Sequence, residues 1–340
     1  MSTAAPHRAP IGVLVLRGAR VESWHRVSYA VAERAGRVRH AAGAIDRRIF
    51  PRSAVKPLQA LALLESGAGR RFGVSEAELA LACASHSGEP CHVAAVTGWL
   101  ARLGLDPSAL ACGAHAPSHA PSAEQLRAAG QIPTPVHNNC SGKHVGMLTL
   151  ARHLAAPLAG YHCPEHPVQR QIATTLAEMV GLGALPAPAI DGCGVPTYPM
   201  SLAQLAGAFA RLGDPHGLDT VRRAACEQIR GAISAHPKLV AGSGRPCTAI
   251  MTAAPGLIVK TGAEGVYAAA LAGSGIGLAL KVEDGASRAA PVALLALLEA
   301  LGGLPAAARA ALAGIARPDI HNHAGELVGR IEPARGGLDL

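Results

Sequence analysis

The sequence predicts a mixed α/β fold of the α+β kind: an antiparallel sheet built from both chain ends, with a helical region inserted between them. Three observations carry this. Short aliphatic runs punctuated by glycine occur before about residue 46 and again after about residue 246. Between them, leucine and alanine recur at helical spacing. Strands and helices therefore do not alternate as they do in a doubly wound sheet.

Residues 11–16 (Ile-Gly-Val-Leu-Val-Leu) and 21–45 read as strands, the second stretch broken at Ala35-Gly36-Arg37 by a hairpin turn. From Ser53 to about Ser66 the pattern is helical, with leucines at 58, 61, 63 and 64 and a stop at Gly67. Further helices are expected over 75–85, 89–103, 122–130, 141–155, 166–181, 199–212 and 215–235. Strands return at 247–254, 257–260, 265–271 and 275–283, separated by Gly and Pro. Two apolar helices (290–302 and 304–314) and a last strand at 325–331 complete the reading. Loops 113–121 and 183–198 are too long for simple connections and are candidate site loops.

The domain expectation is a disordered N-terminus over residues 1–10 and a single catalytic domain over 11–331, with a helical subregion at about 53–240. A length of 340 residues, 49% hydrophobic and 16% charged, describes a globular chain with a large core. Aromatics are only 3%, which argues against a base-stacking platform for single strands. The formal charge is +8, but the arginines stand singly or in pairs such as Arg47-Arg48. No basic stripe suits nucleic acid, whereas a diffuse positive field suits a carboxylate-bearing substrate. No run of about 18 apolar residues predicts a membrane span. Met1 to Pro6 lacks the pattern of a signal peptide, so a cytoplasmic location is expected. None of the eight cysteines forms a Cys-x-x-Cys; in such a chain they are free thiols or ligands.

The chain has five lysines among its 31 basic residues, and three of the five lie in suggestive motifs. Lysine differs from arginine in being able to serve as a neutral amine. Lys56 closes Ser53-Ala54-Val55-Lys56, and Pro57 sets the helix start close to Ser53. Ser53 is then near an N-cap, with Lys56 three residues on and on the same face. The helix terminus favours both a neutral amine and an alkoxide, the activation that a serine nucleophile needs. Lys260-Thr261-Gly262 follows Leu257-Ile258-Val259 at a strand end. Serine beta-lactamases and penicillin-binding proteins carry the same two elements in the same order, roughly 200 residues apart. Their middle Ser-Asp-Asn is missing here; Ala84-Ser85-His86-Ser87-Gly88-Glu89 can supply a second hydroxyl.

Val136-His137-Asn138-Asn139-Cys140-Ser141-Gly142-Lys143-His144 is not a phosphate loop, because the first glycine and the Ser/Thr after Lys143 are absent. It places Cys140 at a helix start, where a thiol is acidified. Cys193, in Asp191-Gly192-Cys193-Gly194-Val195-Pro196, is a partner for a metal site, although two distant cysteines are by themselves as compatible with core thiols.

Taken together, these five motifs in this order resemble the bacterial L-asparaginase II family of the Rhizobium etli type, from about residue 11 to residue 331. The resemblance implies a serine beta-lactamase/penicillin-binding-protein-like fold, a homodimer, and hydrolysis of L-asparagine to L-aspartate and ammonia. It implies one Ser–Lys pair of Ser53 with Lys56, a second of Ser85 with Lys260, and a zinc site of Cys140, Lys143 and Cys193. It also implies that Arg52 and Asp191 hold the α-carboxylate and α-ammonium groups of the substrate. Cys247 fits the same pattern without an assigned role. On this reading Ser53 is the favoured nucleophile and Ser85 the rival or a proton relay. A glutaminase or broader amidase keeps the same motifs, and a non-enzymatic zinc or thiol sensor needs only the cysteines. A D,D-peptidase or beta-lactamase would act outside the cytoplasm.

Overall fold

A computed structural model describes residues 8–338 and 340. In chain order these form β1 (Ile11–Arg17), β2 (Arg20–Glu33) and β3 (Val38–Ala42), then α1 (Lys56–Glu65), α2 (Ala68–Arg71), α3 (Glu76–Ala82), α4 (Pro90–Arg102), α5 (Ala120–Ala128), α6 (Ser141–His153) and α7 (Pro167–Met179). A short ladder of β4 (Ala189–Ile190) and β5 (Pro196–Thr197) follows. Next come α8 (Leu202–Gly213), α9 (Thr220–Ala235), α10 (Pro237–Ala241), α11 (Pro246–Ala253), β6 (Leu257–Thr261), β7 (Val266–Leu271) and β8 (Ile276–Val282). The chain closes with α12 (Ala290–Ala300), α13 (Ala306–Ala311), α14 (Ala313–Ala316), β9 (Asp319–His321) and β10 (Leu327–Pro333).

The chain divides into two compact units. The first comprises Met1–Ala54, Met200–Asp214 and Ala249–Leu340; the second comprises Val55–Pro199 and Pro215–Thr248. The stretch expected to be disordered, residues 1–10, lies outside the described residues as far as residue 7. Ala9 and Pro10 are held: their carbonyls accept from Arg26 Nη1 at 2.6 Å and from Val27 N at 3.0 Å.

The first unit contains an eight-stranded antiparallel sheet in the order β6-β7-β8-β2-β1-β10-β9, with β3 also paired to β2. Strands from both chain ends meet in it, as the sequence predicts. β2 is the hinge of the arrangement. Its first half pairs with β1, while Val27–Glu33 pairs with β8 and its Tyr29–Ala32 stretch also carries β3. The sheet carries alanines on β2 and β7 and Gly277 on β8, and these small residues let α8 come close. A Cβ on Gly277 would lie 2.1 Å from the Ala206 carbonyl oxygen, and one on Gly213 would lie 2.8 Å from the Ala270 Cβ. α12 is buried almost all round, in keeping with its uninterrupted apolar run.

The second unit is helical. α1 buries every residue from Lys56 to Leu63 and packs against α6, α7 and α9. At its C-terminal end Glu65 receives Arg222 of α9 through two hydrogen bonds, at 2.7 and 3.1 Å, and Thr175 of α7 at 2.9 Å. Three helices are thereby pinned by one carboxylate.

One expectation is corrected. Residues 247–253 are helical rather than extended: Cys247, Ile250, Met251 and the following Ala254 are all buried, a spacing of three and four that a helix places on one face. An apolar run this short carries either period, and Pro246 opens it as a helix start. Ser53 lies in a 3-10 turn, Arg52–Val55, whose last residue Val55 is the N-cap of α1, and Pro57 stands at the second helical position, which proline tolerates. The short β9 and the β4–β5 ladder escaped the sequence pattern altogether.

Replacing Gly277 with alanine forces the Ala206 backbone away and is expected to cost about 1–3 kcal/mol. Arg222→Ala leaves the partly buried Glu65 without its cation and is expected to cost about 1–3 kcal/mol. Urea midpoints at unchanged m values measure both.

Candidate functional site

In the second unit the site begins with Lys56. Its side chain is 1% exposed, on a helix with no solvent face, so its amine must find partners in the protein. Nζ donates to Ala84 O at 2.7 Å, Ser85 Oγ at 2.9 Å and Cys140 Sγ at 3.0 Å. These are three acceptors, as many as an ammonium has hydrogens. The expected second hydroxyl of the Ser-His-Ser-Gly-Glu segment is thus brought to Lys56, where the resemblance pairs Ser85 with Lys260.

Cys140 is the N-cap residue of α6, and Gly142 explains how it reaches Lys56. A Cβ at Gly142 would lie 2.4 Å from Leu81 Cγ and 2.5 Å from Leu81 O, so glycine is what lets α6 close onto α3. Asn138 shapes the turn before it: Nδ2 donates to the carbonyls of Cys112 and Gly113, and Oδ1 accepts from Cys140 N at 2.8 Å. Lys143 Nζ lies 3.1 Å from Cys193 Sγ, and Cys140 Sγ lies 3.0 Å from Asn139 Oδ1. The neighbouring Cys193 thiol, opposed by burial and helped by Lys56 and Lys143, drives the Cys140 thiol well below its ordinary value. The nearby Cys140 and burial push Cys193 up. Burial works against the charge on Lys143, but Cys140, Cys193 and Asp191 outweigh it and raise its pKa.

Asp191 accepts from Gly192 N at 2.6 Å at the turn of the β4–β5 ladder. Among the described residues no group of three or more His, Cys, Asp or Glu side chains is placed to hold a metal. A metal at this position would have two sulfurs and one amine as donors. All three residues are buried, and a donor set of two sulfurs and one amine would suit a borderline-soft cation.

The loop that carries Ser85 is tied down on both sides. Ser85 N donates to Val240 O at 2.9 Å. His86 Nδ1 accepts from Gly88 N at 3.2 Å, which leaves Nε2–H to donate to Ser141 Oγ at 2.9 Å. Burial pushes His86 well below its ordinary value, so the ring is neutral. It stacks on His92 at 4.8 Å. His144 is likewise driven down by burial, and its Nδ1 accepts from Tyr161 Oη at 2.6 Å.

The first unit holds the other expected residues. Lys260 is 1% exposed on β6 opposite Ala268, and its amine donates to Thr261 O at 3.2 Å. A Cβ on Gly262 would lie 2.4 Å from Pro51 O, so the end of β6 abuts the segment that leads into Arg52 and Ser53. Arg52 has φ 52° and Glu264 φ 57°, left-handed values rare outside glycine. Such strain concentrates at functional segments, and here it flanks two of the expected motifs.

A sequence model of the L-asparaginase II family matches residues 13–333. The chain belongs to the L-asparaginase II family. No curated protein matches it. Among solved structures, Mglu in its native form is similar at 16% identity and TM-score 0.46, over 81% of this chain and 63% of Mglu. The chain therefore spans less than two thirds of that protein's length. A beta-lactamase of Mycobacterium bovis, Mb2281c, is similar at 15% identity and TM-score 0.41, over 85% of this chain and 95% of that one. No helix among the described residues of this L-asparaginase II family member is long and apolar enough to cross a membrane.

Several site residues escaped the sequence reading. Asn138 and Glu89 lie inside quoted motifs but gave no signal of their roles, while Gly142 and Gly242 act through close approach, which no sequence pattern reports. Glu89 accepts from Ser87 Oγ and from Ser243 N and Oγ, at 2.7 to 2.8 Å. Burial opposes its charge, but these donors and His92 hold the carboxyl at about 2 against an ordinary 4.5. A depressed carboxyl contributes its full stabilisation above about pH 4.5 and loses it as pH falls through about 2. The wild-type thermal midpoint is therefore expected to drop more between pH 5 and pH 3 than that of Glu89→Gln, as differential scanning calorimetry would record.

Proposed function

We propose that the chain is an L-asparagine amidohydrolase that releases L-aspartate and ammonia by Ser–Lys catalysis beside a zinc site, working as a cytoplasmic homodimer. The observation that carries this reading is the buried Lys56–Ser85 contact within a chain of the L-asparaginase II family.

In the proposed reaction the hydroxyl of Ser53 attacks the side-chain amide carbon of asparagine, and its proton passes to the Lys56 amine. In this step Lys56 acts as a neutral amine. The tetrahedral species collapses, the amide C–N bond breaks, and ammonia leaves with a proton returned through Lys56 and Ser85. Water then cleaves the aspartyl ester and regenerates the serine. Lys260 supports the second hydroxyl, and Arg52 and Asp191 bind the α-carboxylate and α-ammonium groups. Cys140, Lys143 and Cys193 would hold the zinc, which when bound supplies positive charge and fixes the two cysteine segments.

A second reading makes Ser85 the nucleophile. The 2.9 Å Lys56–Ser85 hydrogen bond favours it, since a nucleophile must lie within reach of its base.

Ammonia release from L-asparagine and L-glutamine, measured in parallel on protein of known zinc content, tests the proposal. Release from asparagine well above glutamine is expected. Equal release marks a broader amidase, since one methylene is worth only about 1–3 kcal/mol of discrimination. No release from either, with one zinc per chain, sinks the amidohydrolase and favours a sensor. Ser53→Ala and Ser85→Ala are each expected to lower kcat by about three orders of magnitude or more. Mass spectrometry of a trapped acyl-enzyme identifies the nucleophile.

A further inference from the structure

We propose that Glu89 is a positioning residue: its buried carboxylate clamps the Ser85–Glu89 loop to the Lys238–Ser243 segment and so fixes the Ser85 hydroxyl against Lys56. The inference rests on the reading that gives Ser85 a part in the reaction.

The two carboxylate oxygens are fully used. Oε1 accepts from Ser87 Oγ at 2.7 Å and from Ser243 N at 2.7 Å. Oε2 accepts from Ser243 Oγ at 2.8 Å and faces Lys238 Nζ at 3.4 Å. Glu89 is 4% exposed, so none of these contacts is replaced cheaply by water. Gly242 makes the clamp possible. It has φ 113°, and a Cβ there would lie 1.9 Å from Ser87 Oγ and 2.8 Å from Glu89 Oε1. Any side chain at 242 would hold the segment off the carboxylate.

The loop is thus secured at both ends to one segment. At its start Ser85 N donates to Val240 O. At its end Glu89 receives Ser243, and His92, whose Nδ1 accepts from Glu89 N at 3.1 Å, donates from Nε2 to Lys238 O at 3.0 Å. With both ends held, Ser85 Oγ has little freedom to leave its 2.9 Å contact with Lys56. A glutamine at 89 cannot reproduce the set. Ser243 N needs an acceptor, so the amide nitrogen must take the Oε2 position, where it meets the Lys238 ammonium and forces the Ser243 hydroxyl to turn.

The test compares full-length, zinc-loaded wild type with Glu89→Gln, Ser243→Ala and Ser85→Ala in ammonia release from L-asparagine. Glu89→Gln is expected to lower kcat by about 10- to 100-fold with KM within about twofold, the mark of misplaced chemistry rather than lost binding. Ser243→Ala keeps the backbone donor and is expected to lower kcat by a smaller factor; it carries the test if Glu89→Gln does not fold. A Glu89→Gln kcat within twofold of wild type, with Ser85→Ala inactive, overturns the clamp and leaves the amidohydrolase standing. Full activity in Ser85→Ala removes the part given to Ser85 and overturns the clamp with it. If wild type hydrolyses no amide, modification of Ser85 by a sulfonyl fluoride, located by peptide mass, still reads its placement. Equal rates in wild type and Glu89→Gln overturn the clamp, and a severalfold slower rate in the variant upholds it.

Discussion

A lysine amine withdrawn from water dominates this protein. Lys56 sits on a helix with no exposed face, and each of its hydrogens must meet an acceptor or cost several kcal/mol. The acceptors come from three places: the carbonyl of Ala84 past the end of α3, the Ser85 hydroxyl, and the Cys140 thiol at the start of α6. Helix α6 can deliver Cys140 only because Gly142 lets it close onto Leu81. The packing of three helices and the contents of the site are therefore one arrangement.

Lys56 and Lys143 are both buried, and each contacts a cysteine sulfur. Cys140 is driven toward the thiolate by the neighbouring Cys193 and by the two amines. His86 and His144, deep in the same unit, are held neutral by burial and so contribute hydrogen bonds without adding charge. A buried network of this kind is stable only when its members are paired, which makes each contact depend on the rest.

The sheet unit places its residues differently. Lys260 is fixed by strand register, and the tight approach of Gly262 to Pro51 brings the end of β6 to the segment before Arg52. The backbone is left-handed at Arg52 and Glu264, beside this close approach.

Strands at both chain ends, the helical middle and the motifs themselves were legible in the sequence alone, because periodicity and turn residues are local properties. So was the membership in the L-asparaginase II family, which rests on five motifs in order. The sequence misread residues 247–253 as a strand, where a short apolar run fits helix and strand equally. Only the tertiary structure joined helix 202–213 to the sheet, because Gly277 and Gly213 act by approach across space. Only it decided that Lys56 meets Ser85 and Cys140, and that Glu89 meets Ser243. Such pairings join residues far apart in the chain, and burial rather than spacing selects them.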